Sequence, residues 1–205
     1  MKRGESEKSI DRTALINYLI GKKQYRDYLE IGVQKTNNNF NKVIAPYKEG
    51  VDPNVDCTYR MTSDEFFKTI PKDKKYDIIF IDGLHLESPA SRDIENSLSH
   101  LRDSGCIVLH DCNPTARKYQ KKKPGPRGIW LGTVWKAIVK LRMTRKDLFV
   151  CVVDCDWGCG FIKRGSQELF SVPQKQKNLT YRRLEKYRKE LLNLVSYEEF
   201  LRMNI

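Results

Sequence analysis

Asp82, His85, His110 and Asp111 are the residues of this chain whose types and spacing could do chemistry. The apolar run Tyr76-Asp77-Ile78-Ile79-Phe80-Ile81 breaks at Asp82-Gly83-Leu84-His85, and the run Cys106-Ile107-Val108-Leu109 breaks at His110-Asp111-Cys112-Asn113-Pro114. Short apolar runs bounded by turn residues read as strands buried on both faces, and open α/β sheets bind ligands at the carboxyl ends of such strands. Carboxylates and imidazoles emerging side by side there can move a proton or hold a cation. Taken singly, an Asp-Gly after a strand is a turn and a histidine is a core residue. Together they mark a site, because titratable groups that perturb one another cluster where function is.

The elements that must position them alternate along the chain. Leu15, Ile16, Leu19 and Ile20 form a helix-period stripe within Asp11–Lys22. Tyr28–Val33 reads as a strand breaking at Gly32, Asn39–Ala45 as a short helix, Glu49–Asn54 as a brief strand and Cys57–Met61 as a further one. Ser63 is the expected N-cap of a helix over Asp64–Ile70. A helix through Arg92, Ile94, Leu98 and Leu101 joins the two apolar runs, and another is expected over Thr133–Arg142. Leu148–Val153 and Gly158–Ile162 would pair as a hairpin at the sheet edge. Leu184, Tyr187, Leu191 and Leu194 have helical spacing, and Ser196–Glu199 reads as a capping box. Strands alternating with helices indicate βαβ units and a mainly parallel sheet. No internal repeat or second-domain boundary interrupts residues 1–205, which predicts a single domain with a core over 12–165, a loop over 113–128 long enough to be a lid, and a helical extension over 166–205.

Composition narrows the class. The chain has 205 residues, 40% hydrophobic and 31% charged, the balance of an ordinary globular protein. No stretch reaches the roughly 18 apolar residues of a membrane span. The mixed-charge start is no secretory signal. The six cysteines, with three residues between successive members of Cys151, Cys155 and Cys159, do not make a zinc knuckle. Reduced thiols in the cytoplasm are the simplest expectation. A net charge of +12 gathers in Arg117, Lys118, Lys121, Lys122, Lys123 and Arg127, and again over Lys175–Lys189. Such patches could meet nucleic acid or a phosphorylated substrate, but stacking aromatics are not interleaved with them, so a solvated loop and helix face are preferred.

A glycine ending the first strand lets a cofactor approach the backbone, and an acidic residue about 20 positions on can accept from a ribose diol. Gly32 and Asp52 hold those places. The G-x-G-x-x-G phosphate cradle is absent, which favours a nucleoside cofactor without pyrophosphate. With these motifs the sequence resembles the class I S-adenosylmethionine-dependent methyltransferases, in the branch with D-G-x-H after the fourth strand and H-D-C-N-P after the fifth. Tyr28–Gly32, Met61–Phe67, Gly132–Ala137 and Val153–Gly160 extend the likeness over roughly residues 12 to 165.

The resemblance implies a Rossmann-like, seven-stranded, mostly parallel sheet with helices on both faces and its last strand antiparallel. It implies Glu30 and Gly32 on the methionine side of the cofactor, Asp52 at the ribose, and Thr62, Ser63 and Asp64 near the adenine. A family glycine near Thr36 is missing, so Gln34 and Thr36 would shape the cofactor loop. Similar sugar O-methyltransferases use a divalent metal and a histidine base. By that likeness Asp82 and Asp111 would hold magnesium or manganese, His110 would be a ligand or a brace, and His85 would take the hydroxyl proton. Trp157, more than Trp130 or Trp135, could be a sugar platform. The implied activity is methyl transfer to a sugar hydroxyl of a glycan or glycosylated metabolite; the alternatives are a nucleic-acid methyltransferase and a non-catalytic nucleic-acid-binding module on the same scaffold.

Overall fold

Asp11 caps the first helix by accepting from the Ala14 amide, and α1 (Arg12–Lys23) follows. Its buried stripe of Leu15, Ile16, Leu19 and Ile20 lies against one face of a seven-stranded sheet. The computed structural model describes residues 10–124, 128–171 and 178–204. The expectations for residues 1–9, for Arg127 of the basic loop and for Lys175 of the second basic cluster lie outside them.

The strands are β1 (Asp27–Ile31), β2 (Tyr47–Val51), β3 (Tyr76–Ile81), β4 (Leu101–Leu109), β5 (Leu148–Val153), β6 (Cys159–Arg164) and β7 (Leu194–Val195), in the spatial order β2-β1-β3-β4-β6-β5-β7. Neighbours from β2 to β4 run parallel, whereas β6 is antiparallel to both β4 and β5. This is the mostly parallel, seven-stranded α/β sheet expected; its antiparallel strand is β6, inserted between β4 and β5, rather than the last strand, because the short β7 adds a further, parallel strand outside β5. Two details differ. Cys57–Met61 contributes only an isolated bridge between Tyr59 and Val51, because Pro53 and the turn after it leave too little extended chain to continue pairing. The edge beyond the β5–β6 hairpin is covered by β7, which pairs parallel to β5 through Val152–Leu194 and Val153–Val195.

Alternation along the strands builds a core on each side. Leu29, Ile31, Ile79, Ile81, Ile107 and Leu109 face α2 (Ser63–Thr69), α3 (Glu87–Ser99) and α4 (Trp135–Thr144). Tyr28, Ile78, Phe80, Cys106 and Val108 face α1 and Phe200 of α7 (Tyr197–Arg202). The capping box at α2 uses Thr62 with Glu65, one residue ahead of the expected Ser63. The Ser196–Glu199 box starts α7 as the spacing predicts. The Asn39–Ala45 segment makes only a single turn, Phe40–Lys42. The apolar spacing Leu184–Leu194 does not form one helix. It divides at Tyr187 into α5 (Tyr181–Lys186) and α6 (Arg188–Leu192), and Leu194 enters β7. A left-handed Asn193 at the end of α6 turns the chain into the sheet.

The carboxyl-terminal segment is thus packed into the main core, with Leu184, Leu191 and Leu192 fully buried. Leu184→Ala is expected to cost about 2–5 kcal/mol, read as a lowered urea midpoint with the folded far-ultraviolet spectrum retained.

Candidate active site

The carboxyl ends of β1, β2 and β3 open into a cleft of about 580 Å³, within the size range of small-molecule sites. Gly32, Gln34 and Asp52 line it on one side, Thr62, Ser63 and Asp64 on another, and Asp82 and His85 stand at its inner end. Gly32 has φ +86, and a Cβ there would lie 2.3 Å from the Asp82 carbonyl oxygen. Any larger residue would push the β1 and β3 loops apart. Gln34 takes the left-handed turn at φ +53 without a glycine's freedom. Its amide donates to Asp52 Oδ2 at 2.9 Å, and the Asn54 amide donates to Oδ1 at 2.8 Å. Each carboxylate oxygen keeps a further lone pair, so Asp52 can still accept from a diol.

Glu30 is placed differently from the other expected cofactor residues. Strand alternation sends it to the α1 face with Tyr28, where it is 1% exposed and accepts from Tyr28 Oη and Asn39 Nδ2. It does not line the cleft. Burial pushes its carboxyl up to about 7 against the hydrogen bonds from Tyr28 and Asn39.

His85 is held from three sides. Its Nδ1 lies 2.9 Å from Asp111 Oδ2 and 2.8 Å from the Trp130 carbonyl oxygen. Both partners are acceptors, so Nδ1 carries a proton. Nε2 lies 3.4 Å from Asp82 Oδ1, and the ring stacks on Trp130 at 4.9 Å. Gly132 is required behind it, since at φ +61 a Cβ would fall 1.6 Å from the His85 carbonyl oxygen. Burial alone would lower the His85 pKa, but Asp111 and Asp82 raise it to about 10.

Asp82 and His110 follow the parity of Phe80 and Val108 and therefore meet α1. Arg12, the first residue of that helix, donates from Nη1 to Asp82 Oδ2 at 2.9 Å and lies 3.2 Å from Asp156 through Nε. His110 Nδ1 is 3.2 Å from both Asp82 Oδ1 and Asp111 Oδ1, and its Nε2 donates to the Asp156 carbonyl oxygen at 2.8 Å. Burial would lower His110, yet Asp82, Asp156 and Asp111 bring it to about 10. Burial would raise Asp82, and His110 and His85 instead hold it far below the usual carboxylate range. Asp111 sits at φ +61, Asp156 at +40 and Trp157 at +65. Left-handed conformations of non-glycine residues cost on the order of 1–3 kcal/mol each and gather at functional sites.

One group among the described residues has the spacing of metal ligands: Asp82, His85 and Asp111, whose ligand atoms lie within 4.8 Å of one another. Two carboxylates and an imidazole suit a divalent cation that keeps waters. The third member is His85; His110 braces Asp156 and the two aspartates from behind. The three tryptophans part company. Trp135 is fully buried and so cannot be a platform, Trp130 covers His85, and Trp157 is 36% exposed. Trp157 lines a second cleft of about 390 Å³ with Asn113, Asp154 and Asp156, on the far side of His110. Arg12 and Asp93 lie in no motif, Asp156 lies in the Val153–Gly160 stretch with no role read for it, and the fold brings all three to the site.

Residues 11–112 match the family described as a methyltransferase domain. Among solved structures, a Klebsiella pneumoniae protein proposed to be an O-methyltransferase superposes with a TM-score of 0.55 at 11% identity, over 78% of this chain and 84% of that one. The S-adenosylhomocysteine-bound methyltransferase PaMTH1 of Podospora anserina gives 0.52 at 14% identity, over 76% and 78%. An O-methyltransferase of Bacillus cereus in complex with S-adenosylhomocysteine gives 0.51 at 14% identity, over 77% and 82%. The fold is that of the class I methyltransferases. The chain is thus similar to methyltransferases in its fold and, over residues 11–112, in its sequence. A search by sequence against curated proteins gives no match. No helix among the described residues is long and apolar enough to cross a membrane.

The raised Glu30 carboxyl gives a signed expectation. Its folded pKa of about 7 lies above the ordinary 4.5, so its stabilising contribution is complete below the unfolded value and lost as pH rises through 7. Glu30→Gln should remove that loss, and its urea midpoint should gain on the native protein's between pH about 5 and 8. Parallel curves would show that burial does not perturb this carboxyl.

Proposed function

We propose that this protein is an O-methyltransferase that moves a methyl group from S-adenosylmethionine to a sugar hydroxyl of a glycan or glycosylated metabolite. The observation that carries the reading is His85: Nδ1 is fixed by two acceptors, and Nε2 is left facing the inner end of the cleft beside Asp82. That is how a general base is oriented, with Asp111 in the orienting role. Asp52 would receive the ribose diol, Gly32 the methionine portion, and Thr62, Ser63 and Asp64 the base end, with Gln34 shaping the loop between. When bound, S-adenosylmethionine supplies the electrophilic methyl group, and a magnesium or manganese ion would lower the pKa of an acceptor hydroxyl. Asp82 and Asp111 are the carboxylates that would hold such an ion.

His85 accepts the hydroxyl proton at Nε2 and must first lose the one that Asp111 and Asp82 stabilise. Trp157 and its neighbour Tyr119, edge to face at 5.5 Å, offer the acceptor sugar an aromatic wall on the opposite side of the charged centre. Aromatic faces against sugar C–H groups are the expected chemistry for a neutral polyhydroxylated ligand.

His85→Ala should abolish transfer, by about 100-fold or more, while calorimetry shows S-adenosylhomocysteine still binding. Full activity in that variant would remove His85 from the base role. Asp82→Asn and Asp111→Asn should lose both activity and its response to added magnesium; activity indifferent to strong chelators would take the cation out of the reaction. Because His85 must be unprotonated and its pKa is raised to about 10, turnover is expected to climb with pH through the neutral and alkaline range. A methyl-transfer screen over free sugars and glycans, read by mass spectrometry, tests the acceptor class; methylation of nucleic acid alone would overturn it.

A further inference from the structure

Asp93 is a buried acid that none of the roles above uses. It projects from α3, is 3% exposed, and lines the cleft beside Ser63 and Gly83. Its Oδ2 lies 3.6 Å from where a Cβ on Gly83 would stand. Ser63 hydrogen-bonds it, and no cation pairs with it among the ion pairs of the described residues. Its chain neighbour Arg92 turns outward instead, to Asp64 at 3.1 Å.

A carboxyl without a cation, buried at the wall of a cleft, costs stability unless a ligand completes its hydrogen bonding. What could complete it is narrowed by position. Asp52 stands at the middle of the cleft, and Asp82 and His85 mark its inner end, so the portion between α2 and α3 is what remains for the far end of the cofactor. Leu84, 55% exposed, offers an apolar face there. An apolar face beside a polar edge suits a planar, amino-bearing ring.

We propose that Asp93 receives the amino edge of the cofactor's adenine ring. This rests on the cofactor reading above. A carboxyl that keeps its proton presents one acceptor and one donor in a plane, as an amide does, and that pair matches an adenine amino group and the adjacent ring nitrogen. Burial raises the Asp93 carboxyl to about 6; the Ser63 bond acts against this, Asp64 adds to it and Arg92 opposes it. The proton is therefore available close to neutral pH. Asp93 is a specificity residue in this reading, remote from the methyl group.

The test is calorimetry of the full chain with S-adenosylhomocysteine and with its purine analogue lacking the 6-amino group. The native protein should prefer the amino compound by about tenfold or more. Asp93→Asn, which keeps one acceptor and one donor, should retain the preference, and Asp93→Ala should abolish it. An alanine variant that still discriminates, or a native protein that does not, overturns the proposal. Should the alanine variant fail to fold, the carboxyl carbon resonance of Asp93 in the native protein decides: it moves on adding S-adenosylhomocysteine, or the proposal fails. A folded native protein that binds neither compound defeats the cofactor reading itself, and is distinguishable from loss of the preference alone.

Discussion

Arg12 holds the centre together. Its guanidinium enters a space that strand alternation has filled with Asp82, His110 and, across the β5–β6 turn, Asp156. Removing carboxylates from water costs several kcal/mol per ion unless opposite charge and hydrogen bonds replace the solvent. Arg12 and the two imidazoles supply both. They also lock α1 to the strand ends: Arg12 donates its backbone amide to Asp156 as well. A helix start, two strand ends and a hairpin turn are thereby held in one arrangement.

Parity divides the labour around that centre. Asp82 and His110 point to α1, where Arg12 meets them. Asp111 would point the other way, and its left-handed backbone swings the carboxylate round to His85. Two adjacent residues, His110 and Asp111, can in this way serve opposite sides. One side opens to the cleft lined by Gly32 and Asp52. The other leads past Asp156 to the cleft with Trp157. The charged cluster lies between the two cavities.

The glycines at 32 and 132 show how little freedom the site has. Each stands where a Cβ would enter the backbone of a loop carrying Asp82 or His85. Close backbone contact, not side-chain packing alone, therefore fixes where Asp82 and His85 stand.

The order of strands and helices was legible in the sequence, because apolar period and turn residues are local signals: β3, β5 and the capping box at Ser196 stand where the pattern puts them. So was the meeting of Asp82, His85, His110 and Asp111, since all four lie within four residues of the ends of two neighbouring strands. Local signals failed where long-range pairing won. The Leu184–Leu194 stripe broke so that β7 could cover an open sheet edge, and Cys57–Met61 kept only a bridge. The sequence by itself thus determined the fold class and the candidate chemical groups. Tertiary structure decided which side of the sheet each group serves: Glu30 packs with Tyr28 and Asn39, His110 lies on the α1 side between Asp82, Asp111 and Asp156, and Arg12, Asp93 and Asp156 arrive from distant segments. Side-chain direction and desolvation depend on what packs opposite, and no spacing along the chain carries that information.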